Sequence, residues 1–333
     1  MAKQCIAIDA MGGEGGPKVT VPAALDALEA YPLLSIILVG DASIHSELNQ
    51  SVERFDALKA RVRVEDKTSV FLDSQKPAAI LRSGKHSSLY RSLELHQQGV
   101  VSAVVSAGNT GALLLASRYL LDPVPGIELP AIVATLPVSG YKTLLLDVGA
   151  NLQCSNRQLE QFAIMGAELA RASGKSEPRV ALLNVGTEDH KGTDAIQVTA
   201  KSLEQNSQLN FVGFVEANQA FAGLADVIVC DGFLGNVMIK ASAGAANAVM
   251  RELSTAVATK ATTLQQEFTE VAGTLNPQNF NGASILGLRG NVIKSHGNAD
   301  RRGFAEAIAK AHAEQIGSIP ERIAAALSVS DSS

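Results

Sequence analysis

The chain has 333 residues, a formal net charge of −5, 46% hydrophobic residues, 4% aromatics and no Trp. That length can bury a substantial core in one large α/β unit, and the net negative charge argues against nucleic acid as a partner. No stretch reaches the roughly 18 apolar residues that a membrane span needs. Cys5, Cys154 and Cys230 show no Cys-x-x-Cys spacing, so neither a disulfide framework nor a metal site is expected.

In chain order, short apolar runs read as strands at 6–10, 36–39, 62–65, 101–106, 131–136, 143–147, 180–184, 211–215 and 227–230. The first strand begins too early to leave room for a signal peptide, so a cytoplasmic location is expected. Helical stretches separate most of the runs, the pattern of a parallel α/β sheet whose buried strands are apolar throughout. From Val237 to about Ala272 there is no Pro, and Leu253, Val257, Ala261, Leu264, Phe268 and Val271 recur every three or four residues. That stripe marks a helix whose apolar face packs in the core, pairs with another subunit or touches a membrane. A Ser-rich tail is expected over 328–333.

Five of the strands run into clusters of Gly, Asn and Asp: 11–17 (MGGEGGP), 106–111 (SAGNTG), 147–151 (DVGAN), 184–192 (NVGTEDHKG) and 231–236 (DGFLGN). Ligands of open parallel sheets bind beyond the carboxyl ends of the strands, where glycine admits backbone and helix N-termini favour anions. Convergence of the five loops into one anion-binding cleft is therefore expected. The first loop is not a dinucleotide fingerprint. A G-x-G-x-x-G beginning at Gly13 meets Lys18 where the third Gly belongs, and one beginning at Gly12 meets Glu14. No G-x-S-x-G elbow is present. Cys5 and Cys230 lie in apolar strands and read as core filler, and Cys154 has no evident base beside it. Lys191, His190, Asn236, Asn109, Thr110, Lys294 and His296 supply positive charge or hydrogen-bond donors in these Gly/Asn contexts. The site is therefore expected to bind and polarise an anion rather than to form a covalent intermediate. Between residues 289 and 310 five basic residues stand against two acidic ones.

The blocks IAIDAMGGEGGP, VVSAGNTGALL, DVGAN, LLNVGTEDHKG, DVIVCDGFLGNV and LGLRGNVIKSHGNAD, in this order, resemble the phosphate acyltransferases of bacterial phospholipid synthesis (the PlsX family) over residues 4–325. The resemblance implies a three-layer α/β/α sandwich related to phosphotransacetylases and isopropylmalate dehydrogenases. The catalytic unit would span 1–325, with a helical projection over 237–275 at a dimer contact and facing the membrane. It also implies transfer of a long-chain acyl group from acyl carrier protein to inorganic phosphate, without metal or cofactor. A membrane glycerol-3-phosphate acyltransferase would use the product downstream, and the homodimeric enzyme would sit peripherally at the inner face of the cell membrane. Several positions depart from the family's usual pattern: Glu14 for an Asp, Ala217 for a Gly, and Asn281 and Ser284 in FNGASILGL. The projection carries Thr, Gln and Ala in place of many bulky apolar residues.

Phosphate is itself a nucleophile near neutral pH, so this chemistry needs a cradle and an oxyanion site but no catalytic serine or cysteine. Lys191 and Asn236 are expected to bind phosphate or the oxyanion with amides of Gly12, Gly13 and Gly235. His296 is expected to orient phosphate or protonate the leaving thiolate. Asn109, Thr110, Asn151 and Lys294 are expected at the phosphate or acyl substrate, and Arg289, Arg301 and Arg302 at the acidic carrier. A phosphotransacetylase acting on acyl-CoA and a non-catalytic scaffold for lipid-synthesis enzymes remain alternatives at this stage, with a nicotinamide dehydrogenase more distant.

Overall fold

The computed structural model describes residues 4–138, 141–258, 273 and 276–330. Strand β1 (Cys5–Asp9) is buried along its whole length. Its alternating side chains feed two layers, Ile6 and Ile8 on one face and Cys5 and Ala7 on the other. The chain continues through α1 (Pro17–Ala30), β2 (Ser35–Val39), α2 (Ser43–Gln50), α3 (Val52–Leu58), β3 (Val62–Glu65), α4 (Ser88–Gln97), β4 (Ala103–Ser106) and α5 (Thr110–Leu121). Then come β5 (Ala131–Val138), β6 (Tyr141–Leu146), α6 (Asn156–Ala172), β7 (Arg179–Leu183), α7 (Asp194–Gln205), β8 (Asn210–Val215), β9 (Val227–Val229) and α8 (Gly232–Val257). The last elements are β10 (Ala283–Leu286), β11 (Asn291–Lys294), α9 (Arg301–Gly317) and α10 (Ile319–Ser330).

The strands form one sheet in the order β3-β2-β1-β4-β11-β10-β5-β6-β9-β7-β8. Helices α1, α2 and α9 cover one face of its first half, and α4 and α5 cover the other. In the second half, α6 and α10 pack with Leu144 and Leu146 of β6, while Leu145 joins Met238 of α8 on the opposite face. This is a three-layer α/β/α sandwich.

Three features differ from the sequence reading. Strands β10 and β11 lie in the Gly-rich stretch 282–294, where runs of only four residues carry little pattern. The sheet is mixed, because β5 pairs antiparallel with β6 and with β10, and β10 pairs antiparallel with β11. The Ser-Gly dipeptide between β5 and β6 is a hairpin signal in its own right. Finally, α10 continues to Ser330, into the stretch expected as tail. The expected helical stripe begins on α8 with Leu253 and Val257, and its remaining members, Ala261 to Val271, lie outside the described residues.

The reversal at β5–β6 decides where the loops fall. Strands β1, β4 and β11 run parallel to one another, and so do β6, β7 and β9, but the second set runs opposite to the first. The five Gly/Asn loops therefore form two groups, one beyond each set of carboxyl ends.

His96, in the last turn of α4, ties this scaffold to β11: its Nε2 accepts the Asn291 amide at 3.1 Å, and its ring fills the space beside Gly290. Burial lowers its pKa below the ordinary histidine value. The folded protein thus keeps His96 neutral while the unfolded chain takes a proton, so stability is lost as pH falls through about 6.5. Thermal melts of His96→Gln should lose less stability between pH 7.5 and pH 5.5 than those of the wild type; an identical acid response would exclude His96 as a contributor.

Candidate active site

The first group of loops is organised around Asp9, the last residue of β1. Its buried carboxylate accepts the hydroxyls of Ser88 and Ser106, each at 2.6 Å. Burial raises its pKa, against the pull of these hydrogen bonds. Gly12 is required by close approach here, since a Cβ would lie 2.6 Å from the Gly108 amide and 2.8 Å from the Asp9 carboxylate. The Glu14 amide donates to the Gly297 carbonyl at 2.8 Å, joining the loop after β1 to the loop after β11. Ser106 in turn accepts the Gly108 amide at 3.0 Å. Asp9 thereby shapes the turn that leads into α5.

Lys294 closes this group. At the end of β11, its Nζ donates to the Ala107 carbonyl at 3.1 Å and to the carbonyl of Ser295. An ammonium has three N–H donors, so one remains for a ligand. Burial lowers its pKa to about 8, with Asp73 and Asp9 partly offsetting the shift. Lys294 is thus still mostly protonated at pH 7 and poised to lose its proton slightly above it. His296 follows two residues later and reaches solvent. Withdrawal of its ring from water, and then the Lys294 charge, lower its pKa. A neutral imidazole suits orienting an anion better than donating a proton; of the two groups, Lys294 is the one that still carries its proton at neutral pH.

Asn109 performs a different task from direct ligation. Its Oδ1 caps α5 by accepting the Ala112 amide at 2.9 Å, and its Nδ2 donates to the Asp73 carbonyl at 3.1 Å. The cap leaves the first-turn amides at Thr110 and Gly111 without intrahelical partners, at the positive end of the helix dipole. The amide of Gly12 donates weakly to the Asp9 carbonyl at 3.4 Å.

The second group is organised by Asp147. One carboxylate oxygen accepts the amides of Ile132, Gly149 and Ala150, and the other accepts both the amide and the side chain of Asn151. Asn151 Nδ2 also donates to the Pro130 carbonyl at 2.8 Å, so its donors are committed to the loop. Asn236, on the first turns of α8, stands beside Gly149. The Gly235 amide, expected as an anion donor, bonds to the Asp231 carbonyl at 3.0 Å within α8. Its lack of a side chain matters instead: a Cβ would lie 1.9 Å from the Asp147 carbonyl. Lys191 folds back over Gly186 and pairs with Glu188 at 2.6 Å.

The three arginines expected at a carrier protein do not form one patch. Arg289 precedes β11 and its Nε donates to the Pro123 carbonyl at 3.2 Å, just beyond the end of α5. Arg301 and Arg302 begin α9, past the other end of β11, and Arg301 is held bidentately by Asp26. Asp9 and Ser88 lie outside the candidate residues of the sequence, and Ser106 and Asp147 appear there only as the first members of Gly/Asn clusters. The usable signal was a lone carboxylate ending an otherwise apolar strand, in AIDA and LLLDVG.

The two groups flank a cleft of about 530 Å³ that runs along α5, with Gly111 from the first and Asn151 from the second in its lining. With a pKa of about 8, the charge of Lys294 is lost above that pH. Inorganic phosphate should therefore bind less tightly as pH rises from 7 to 9, and Lys294→Met should weaken binding about tenfold or more at pH 7. Calorimetric titration checks both; unchanged affinity in the variant would remove Lys294 from the site.

Known proteins agree with this architecture. A family model described as "Fatty acid synthesis protein" matches residues 4–318. A phosphate acyltransferase of Vibrio campbellii is 44% identical over 329 residues, covering 96% of this chain and 95% of that protein. Among solved structures, a phosphotransacetylase from Streptococcus pyogenes superposes with a TM-score of 0.60 over 94% of both chains at 16% identity. One from Staphylococcus aureus gives 0.59 over 93% of this chain and 94% of the other at 14%. At those identities the structural likeness carries the fold alone, whereas the sequence match carries the family: the chain belongs to the phosphate acyltransferases.

Proposed function

We propose that the protein transfers a long-chain fatty acyl group from acyl carrier protein to inorganic phosphate, releasing acyl phosphate and the carrier thiol. The observation that carries this reading is Lys294, an unusually acidic ammonium at the loop leading into the capped N-terminus of α5, in a chain 44% identical to a phosphate acyltransferase. A phosphate oxygen attacks the thioester carbon, the C–O bond forms, and the C–S bond breaks as the tetrahedral oxyanion collapses. Lys294 and the α5 amides hold the phosphate, His296 orients it, and the leaving thiolate takes a proton from Lys294. Holding both reactants in register can supply roughly 7–11 kcal/mol of the barrier, and each oxyanion donor about 3–4 kcal/mol. Lys191 and Asn236 serve the acyl substrate from the second group of loops, Lys191 after exchanging its Glu188 partner.

Two assembly features belong to the same proposal. Helix α8 buries only Gly232, Gly235 and Met238, while Val249 and Leu253 are exposed; a second copy of the chain covers this face in a homodimer. Among the described residues no helix is long and apolar enough to cross a membrane. Peripheral contact with the membrane would bring the product to a glycerol-3-phosphate acyltransferase.

Purified protein incubated with palmitoyl-acyl carrier protein should release carrier thiol only when phosphate is present. Lys191→Ala and Asn236→Ala should each lower kcat/KM for the acyl substrate about 10²-fold or more. No phosphate-dependent release would overturn the acyl-transfer reading, and near-normal turnover in both variants would overturn their assignment.

A further inference from the structure

The cleft beside α5 has a feature that phosphate binding does not explain. Gly111, Leu114, Leu115 and Arg118 all line it. Their spacing of i, i+3, i+4 and i+7 puts them on one face of the helix. Leu113, Ala116 and Leu120 face the core instead. The face thus runs from the anion-binding N-terminus, past two leucines, to a guanidinium. Pro77, Pro130 and Ala150 add apolar surface to the lining, and Lys76 adds a cation next to the Gly111 end. Arg118 is exposed and forms no salt bridge among the described residues. Just beyond it, Arg289 donates its backbone amide to the Asp122 carbonyl at 3.0 Å, so a second exposed cation stands off the far end of the helix.

A purely hydrocarbon ligand would use the leucines and leave Arg118 unused. A small anion would need the cation and not the apolar trough. A ligand that uses both is reactive at one end, weakly polar with methyl groups along its middle, and anionic at the other. We infer that this cleft holds the 4′-phosphopantetheine arm of the acyl donor, its sulfur toward Gly111 and its phosphodiester on Arg118. The rise from Gly111 to Arg118 is about 10 Å, and the reach of the arginine side chain extends it to a length comparable with an extended arm. The volume of about 530 Å³ is in the usual range of small-ligand sites. The carrier protein, joined to the phosphodiester, then docks at the Arg118 and Arg289 end of α5 and not at Arg301 and Arg302.

This inference rests on the acyl-transfer reading, and its test needs no turnover. Binding of free 4′-phosphopantetheine and of pantetheine, which lacks the phosphate, is measured by calorimetry on the full chain. The wild type should prefer 4′-phosphopantetheine about tenfold. Arg118→Gln should bind both equally, Arg118→Lys should keep part of the preference, and Leu115→Trp should weaken both ligands, with thermal melts showing that each variant folds. An undiminished preference in Arg118→Gln, or undiminished binding of both ligands by Leu115→Trp, would overturn the inference. Arm binding as expected, with no acyl phosphate formed from palmitoyl-acyl carrier protein, would support the cleft assignment and count against the reaction alone.

Discussion

A buried carboxylate and a part-buried ammonium, at the ends of two strands that flank a third, constrain most of what this protein can do. Asp9 ends β1 and Lys294 ends β11, with β4 between them. Taking such groups out of water is costly unless hydrogen bonds compensate, and the local fold is arranged around that need. Ser88 and Ser106 satisfy Asp9, the Ala107 and Ser295 carbonyls satisfy Lys294, and Gly12 permits the approach of the loops. What results is an ammonium held within a turn of a helix N-terminus, with its proton affinity lowered toward physiological pH. Such a group stabilises an anion and gives up a proton more readily than an exposed lysine does.

The second constraint is topological. A hairpin between β5 and β6 reverses the sheet, so the Gly/Asn loops cannot gather at one edge as a parallel sheet would require. They form two groups, and α5 with its cleft spans the distance between them. One group sets the Lys294 ammonium close to the positive end of the α5 dipole. The other is a rigid loop folded on the Asp147 carboxylate, which presents Asn236 through the Gly149 turn. Two separate groups joined by an apolar-walled trough suit a reaction between a small anion and a long thioester.

Much of this was legible from residue order. Nine of the eleven strands among the described residues declare themselves as apolar runs, and each Gly/Asn cluster does stand where a strand gives way to a helix. The sheet's reversal is harder to read, because β5 and β6 are apolar runs like those of parallel strands and only the short link between them marks a hairpin, while β10 and β11 are four residues each and their glycine neighbours mimic a binding loop. Side-chain roles were less legible than positions. Asn109 looks like chemistry in the sequence and Asp231 opens a Gly/Asn cluster, yet each caps a helix by accepting a main-chain amide. Ligand-binding and helix-capping residues share the same types and the same places, so only hydrogen-bond partners separate them. Asp9 was passed over for the opposite reason: one acid in an apolar strand resembles a strand end until its burial is seen. Asn281, a departure from the usual family pattern, is explained by its contacts. Buried, it accepts the His296 amide at 2.9 Å and donates to Ser295 Oγ and the Gly303 carbonyl, binding the Lys294 loop to α9.

The central claim is one of place: the anion sits at the N-terminus of α5 against Lys294. The most direct measurement is a crystal structure of the protein soaked in phosphate. The account predicts tetrahedral density within hydrogen-bond distance of Lys294 Nζ and the Thr110 and Gly111 amides. Density held by Lys191 and Asn236, with Lys294 still bound only to its carbonyls, would contradict it.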